Sequence, residues 1–284
     1  MSDKNSEQQR AWLTLIRNKT ALVGGVIALC IVFVAISAPW ISPLDPLEQD
    51  PYARLMGTTP KHWLGTDDFG RDVFSRIIWG SRISLLIGGA SVLLGLLLGT
   101  SLGMIAGYYG RKPESLIMRA IDVMMCFPDL ILAIAVTAAL GANLLNLIIT
   151  IGIVMTPRFA RLAHGVILSI RENEFVLASR AVGAGVPRIL VQHIFPNILG
   201  ELLVAGTLWV GEAIRLEANL AFIGLGVQPP TPTWGNMTRE GVDVLINAPW
   251  LSIFAGSSIL ITILAFNMIG DGIRDITDPK LREA

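Results

Sequence analysis

Apolar residues gather along the chain in long runs separated by shorter polar stretches. A spanning helix needs roughly 20 mostly apolar residues. Runs at 20–41, 84–105, 202–223 and 250–269 meet that length directly. A fifth run, 118–140, begins with Arg119 and Asp122 and contains Phe127-Pro128, which predicts a spanning helix kinked at the proline. The sixth, 144–155, is short by itself. It predicts a helix that continues through Thr156-Pro157 and carries Arg158 and Arg161 toward water. The fold class that follows is an all-α membrane protein with six transmembrane helices.

Six spans put both termini on one side. Basic residues cluster before span one (Lys4, Arg10, Arg17, Lys19), after span two (Arg111, Lys112), after span four (Arg158, Arg161, Arg171, Arg180, Arg188) and in the tail (Arg274, Lys280, Arg282). By the positive-inside rule these segments and both termini face the cytoplasm. The outer connections, 42–82 and 226–249, should then be poor in basic residues. The second holds only Arg239, but the first holds Arg54, Lys61, Arg71, Arg76 and Arg82 among several Asp. The resulting organisation is a cytoplasmic arm at 1–19, a first span and outer loop at 20–83, and a core at 84–284. The core holds five spans, a cytoplasmic loop at about 163–197 and a short tail.

Composition agrees with this picture. Of 284 residues, 52% are hydrophobic and 15% charged, with mean hydropathy +0.61; soluble domains carry about 25% charged residues. The net charge is zero, so nothing points to nucleic acid. Cys30 and Cys126 lie in apolar runs and read as small buried hydrophobes. The polar stretch 1–10 precedes an apolar run that starts too late for a cleavable signal peptide. Gly95, Gly99, Gly103 and Gly107 recur every fourth residue, giving span two a smooth face for close helix packing. No internal repeat is evident.

The sequence offers no catalytic constellation. It lacks GxxxxGK[ST] and HExxH, and His62, His164 and His193 are far apart. No catalytic residue, metal site or bound cofactor is expected. Span five instead carries Glu212, Arg215 and Glu217, and charges at membrane depth are expensive and often functional. Glu212 and Arg215 stand three apart and can pair on a helix. They read either as a neutralised interior pair or as lining of a translocation path, with Glu217 nearer the outer end and open to a partner from another helix. In the first outer loop, Gly65-Thr66-Asp67 and Gly70-Arg71-Asp72 are turn chemistry before an outer helix braced by Asp72 with Arg76. Gln228-Pro229-Pro230 and Pro232 predict a stiff second outer loop, while Trp234 and Trp250 suit an interfacial belt. Asp271, Arg274, Asp275 and Asp278-Pro279 finish the last helix.

Between spans four and five, residues 171–197 read RENEFVLASRAVGAGVPRILVQHIFPN. This predicts a short amphipathic helix, a glycine turn and a second helical piece ending at Pro196. Glu174 and Arg180 supply polar faces, Ala178, Ser179 and Ala181 are small, and Gly183 and Gly185 permit a sharp bend. Phe175, Val176 and Leu177 suit a helix lying in the membrane interface. The same piece also suits docking into a soluble partner.

The stretch resembles the EAA loop of ABC importer permeases. In that loop a small-residue pair precedes a glycine, with a proline thirteen residues further on. Ala178-Ser179, Gly183 and Pro196 occupy those places, while Leu177 stands where the family has a glutamate. Residues 62–85, 118–128, 222–237 and 270–282 resemble hallmarks of the C-type permease subunits of dipeptide, oligopeptide, glutathione and nickel importers. The likeness runs from span one to the tail.

The resemblance implies a permease subunit in a bacterial or archaeal cytoplasmic (inner) membrane, importing di- or oligopeptides. It implies a pore shared with a second homologous permease, two ATPase subunits that use ATP and Mg, an extracytoplasmic substrate-binding protein and surrounding lipid. The cytoplasmic loop becomes a coupling helix, with Glu174, Ala178, Ser179, Arg180, Ala181, Gly183, Ala184 and Pro196 meeting an ATPase. Glu212, Arg215 and Glu217 become candidates for the translocation path. Asp67, Asp68, Arg71 and Gln228 become candidate contacts for the binding protein. Nickel, metal-chelate, glutathione or opine cargo are alternatives within the family. A proton-coupled secondary transporter using the span-five charges is the alternative of another class, followed by a non-transporting membrane scaffold or enzyme.

Overall fold

The computed structural model describes residues 18–277, which form helices joined by loops. The elements are α1 (Lys19–Ile41), α2 (Val73–Tyr109), α3 (Arg111–Met125), α4 (Asp129–Leu140), α5 (Leu144–Ile170), α6 (Glu174–Ala181), α7 (Val186–Phe222), α8 (Trp234–Asp243) and α9 (Pro249–Thr277). Helices α1, α2, α5, α7 and α9 are each long and apolar enough to cross a membrane. Lys4, Arg10, Arg17, Asp278, Pro279, Lys280 and Arg282 lie outside the described residues.

Side-chain caps set several helix starts. Asn18 accepts from the Thr20 and Ala21 amides, Asp72 from Ser75, Asn143 from Asn146 and Thr233 from Asn236. Span two is longer than its apolar run. The Asp72 cap starts α2 at Val73, and its 37 residues extend about 55 Å at 1.5 Å per residue. That exceeds a hydrocarbon core of about 30 Å, so α2 projects beyond it. The outer helix expected before span two is therefore the first turns of α2 itself. α5 runs unbroken through Pro157, as the sequence predicts.

The third span is broken rather than merely kinked, although α3 and α4 together are long and apolar enough for one crossing. α3 and α4 meet at 97° across Cys126, Phe127 and Pro128. Pro128 has no amide hydrogen and its ring steers Phe127 away from the helical region, so the chain breaks there. α3 also carries Arg111, Lys112, Glu114, Arg119 and Asp122, too many charges for an unaccompanied apolar crossing.

α2 packs most extensively on α5, and the two run parallel. The four-residue glycine strip makes this contact. A Cβ at Gly95 would stand 2.8 Å from Met155 Cβ, one at Gly99 2.6 Å from Phe159 Cβ, and one at Gly103 2.9 Å from Ala163 Cβ. Small residues let the backbones approach, and the gain is dispersion between closely fitted surfaces. α1 follows the same logic against α9. It buries Ala21, Gly24, Ala28, Ala35 and Ala38 and turns Leu29, Phe33, Ile36 and Trp40 outward. Cys30 and Cys126 are exposed. The expectation that they are buried fails because an apolar run beside lipid is not a core.

A leucine at Gly99 has no room in the seam. Gly99→Leu is expected to cost about 1–3 kcal/mol or more through overpacking, read as a lowered melting temperature in detergent. Gly89→Leu, at a position with open space, should leave that temperature nearly unchanged.

Candidate functional site

At one end of the bundle the chain leaves α5, forms the eight residues of α6, and turns at Gly183. Gly183 has φ +78°, a backbone state that strains any residue with a Cβ. The Ala184 amide donates to Ser179 O at 3.0 Å, closing the turn. The chain re-enters helix at Val186 and passes through a π stretch, Ile189–Ile194. Pro196 follows in the first turn of the resumed α-helix. Its missing amide hydrogen fits the locally widened ladder.

α6 is fastened on one side and open on the other. Val176 is fully buried in the main apolar cluster. Arg180 Nε donates to Tyr108 Oη at 3.3 Å, and its guanidinium lies 4.7 Å from that ring. Arg171 donates to Gly107 O at 3.0 Å. Glu174, Leu177, Ala178, Ala181, Val182 and Gly183 remain exposed, as does Pro196. The apolar face read as Phe175, Val176 and Leu177 is split, because only Val176 turns inward.

Sequence reading missed a polar seam. Arg158, Arg161 and His164, three residues apart, mark one face of α5. Arg158 pairs with Asp129, Arg161 with Asp122 at 2.6 Å, and His164 with Glu114 at 2.9 Å. Of the two arginines expected to head for water, Arg161 is exposed and Arg158 half-buried, and both bridge α5 to the bent pair α3–α4. The three-residue spacing was visible, but its acidic partners lie 29 to 50 residues away.

Arg215 donates to Glu212 through Nε at 3.1 Å and through Nη2. The pair lines a cleft of about 240 Å³ with Asp129, Leu130, Met155, Leu216 and Asn219. Glu217 is not part of it. It is fully buried beneath α8, with Thr233 beside its carboxyl group, and neither oxygen completes a hydrogen bond among the described residues. The group from another helix that stands beside it is the neutral Thr233, the N-cap of α8.

At the opposite end, four charges interlock. Arg71 Nε donates to Asp67 at 2.6 Å, and Arg71 Nη2 to Glu240 of α8 at 3.2 Å. Arg76 Nη2 donates to the same Glu240 oxygen at 3.0 Å, and its Nε lies 3.4 Å from Asp67. Asp67, Arg71 and Arg76 are all buried. Burial pushes the Glu240 carboxyl up, against the pull of Arg76 and Arg71. Asp67 and Arg71, read as contacts for a binding protein, are thus consumed by the fold. Burial also raises half-buried Asp68, helped by the adjacent Asp67, while Gln228 is exposed. The expected Asp72–Arg76 brace gives way to other partners. Asp72 caps Ser75 and meets His62 Nδ1 at 3.0 Å. Trp234 is buried rather than interfacial, donating to Ile77 O at 3.1 Å. Among the described residues no group of three or more His, Cys, Asp and Glu is arranged for a metal ion.

Comparisons with known proteins add relatives to this geometry. Residues 99–283 match the model of a binding-protein-dependent transport system inner membrane component, and residues 6–57 that of the N-terminal TM domain of oligopeptide transport permease C. The chain is 46% identical to the dipeptide transport system permease protein DppC of Alkalihalophilus pseudofirmus, over 98% of this chain and 91% of that one. It is 43% identical to the di/tripeptide permease protein DppC of Pseudomonas aeruginosa, over 96% and 92%. It is 40% identical to the glutathione permease protein GsiD of Pectobacterium atrosepticum, over 95% and 90%. The fold resembles a chain of the MetNI methionine ABC transporter in an inward-facing conformation. The TM-score is 0.59 at 18% identity, covering 72% of this chain and 97% of that one.

Removing one member of a buried ion network strands the others. Glu240→Ala is expected to cost about 3–5 kcal/mol, seen as a large fall in the melting temperature of the solubilised protein. Glu240→Gln, which keeps an acceptor, should lower it less.

Proposed function

The chain belongs to the family of binding-protein-dependent transport system inner membrane components, and from that premise we propose that it is the permease subunit of an ATP-driven importer of di- and oligopeptides. Its relatives' names support the cargo. The tripeptide glutathione, named for a relative at 40% identity, fits the same class. The chain forms half of a pore completed by a second, homologous permease. Two cytosolic ATPases bind and hydrolyse ATP with Mg, and an extracytoplasmic binding protein delivers the peptide. Both termini are cytoplasmic.

The observation that carries this reading is α6. Val176 and Arg180 tie it to the spanning helices, while Leu177, Ala178, Val182 and Gly183 stand exposed. A chain without a nucleotide loop needs a motor, and α6 offers a small, apolar surface for one to grip. The residues that meet the ATPase are Glu174, Ala178, Ser179, Arg180, Ala181, Gly183, Ala184 and Pro196. Closure of the ATPases on nucleotide moves α6, and its anchors carry the motion into the bundle as a rigid-body change. Leu177, where the family has glutamate, gives this contact an apolar grip in place of a charged one. Family membership displaces the proton-coupled carrier, which has no use for such a surface.

The test is uptake of labelled dipeptide by the complete importer in proteoliposomes. The intact assembly should accumulate dipeptide only with ATP and binding protein. Gly183→Arg and Ala178→Trp should abolish uptake and co-purification of the ATPases while the chain still inserts. Undiminished uptake by inserted variants overturns the coupling role.

A further inference from the structure

Charged side chains that face hydrocarbon are costly, so charges exposed on spanning helices face water or protein instead. Midway along its apolar stretch, α7 exposes Glu212 and Arg215, with side chains 39% and 58% exposed. Across the cleft, Asp129 is 41% exposed and held by Arg158. Elsewhere the outward faces carry Leu29, Phe33, Leu93, Leu97, Ile253 and Leu260, which suit lipid. The charged cleft therefore faces a different medium from those apolar faces.

We propose that this cleft is a subsite on the transport route that takes the charged ends of a zwitterion. Asp129 and Glu212 receive the ammonium group, Arg215 receives the carboxylate, and Arg158 positions Asp129. The cargo in this inference rests on the peptide-importer reading. Two acids and two guanidinium groups make the cluster neutral, as a zwitterion is. Binding thus exchanges internal partners for ligand partners without changing net charge. Exposed ion pairs contribute little, so the exchange costs little. Leu130, Met155 and Leu216 give the cleft apolar walls, and Asn219 adds an amide. Its volume of about 240 Å³ lies below the ~300–1,000 Å³ of pockets that enclose whole ligands. It holds end groups and leaves most side chains unread. Such a site is weak, and passage requires a site that releases what it binds. Free termini are required of the cargo, whereas its side chains are not selected here.

The experiment uses the complete importer with Cys30→Ser and Cys126→Ser, carrying Asn219→Cys or, as a second reporter, Leu130→Cys. Labelling by a membrane-impermeant thiol reagent reports access from water. Labelling is expected, slowed severalfold by millimolar dialanine and not by N-acetyl-dialanine amide. In Glu212→Gln/Arg215→Gln, protection should vanish and dialanine uptake fall by about tenfold, the scale of one lost charged hydrogen bond. The swapped pair, Glu212→Arg/Arg215→Glu, should recover much of both. Neither reporter labelling, or equal effects of the free and blocked peptides, overturns the proposal. A wild-type assembly that imports no dialanine would overturn the peptide reading instead, and the labelling result stands apart from it.

Discussion

The bilayer core contains no water, so each charge brought to its depth needs a partner within the protein or a wet surface to face. Much of this structure follows from that constraint. Asp67, Arg71, Arg76 and Glu240 pair with one another where α2 begins, and so bind the 42–72 connection to α8. Asp129, Asp122 and Glu114 meet Arg158, Arg161 and His164, and so hold a broken helix against an intact one. Glu217, enclosed beneath α8, has neither a charged partner nor a completed hydrogen bond among the described residues.

The second constraint is that apolar side chains gain nothing by hiding from lipid. Association then depends on fit. Glycine and alanine take the closest contacts, on α1 and along the α2 seam, while a central cluster keeps Leu147, Ile151, Met155 and Phe159 buried. α1 shows the first plainly, with its alanines inward and Phe33 and Trp40 outward.

What could be read from the sequence divides along the same line. Span positions were legible because length and hydropathy are local properties, and the glycine strip was legible because four-residue spacing is local too. The Glu212–Arg215 pair follows from helical spacing alone. The partner of Arg76 was not legible. Helical spacing suggested Asp72, but Glu240, 164 residues away, has the geometry. The same holds for Trp234, whose indole meets Ile77 across 157 residues. Pro128 was seen, but the 97° of the bend was not. The α6 surface was legible as a pattern of small residues. Its anchor Tyr108, at the end of another helix, was not.

α2 is a single helix with a fastening at each end. Asp72, Arg76 and their acids hold its start, and Tyr108 meets Arg180 of α6 at its finish. Between them the glycine seam stiffens it against α5. A rod of about 55 Å clasped at both ends is one mechanical element. Whatever displaces α2 at one end is therefore felt at the other through a single element, with no relay between them.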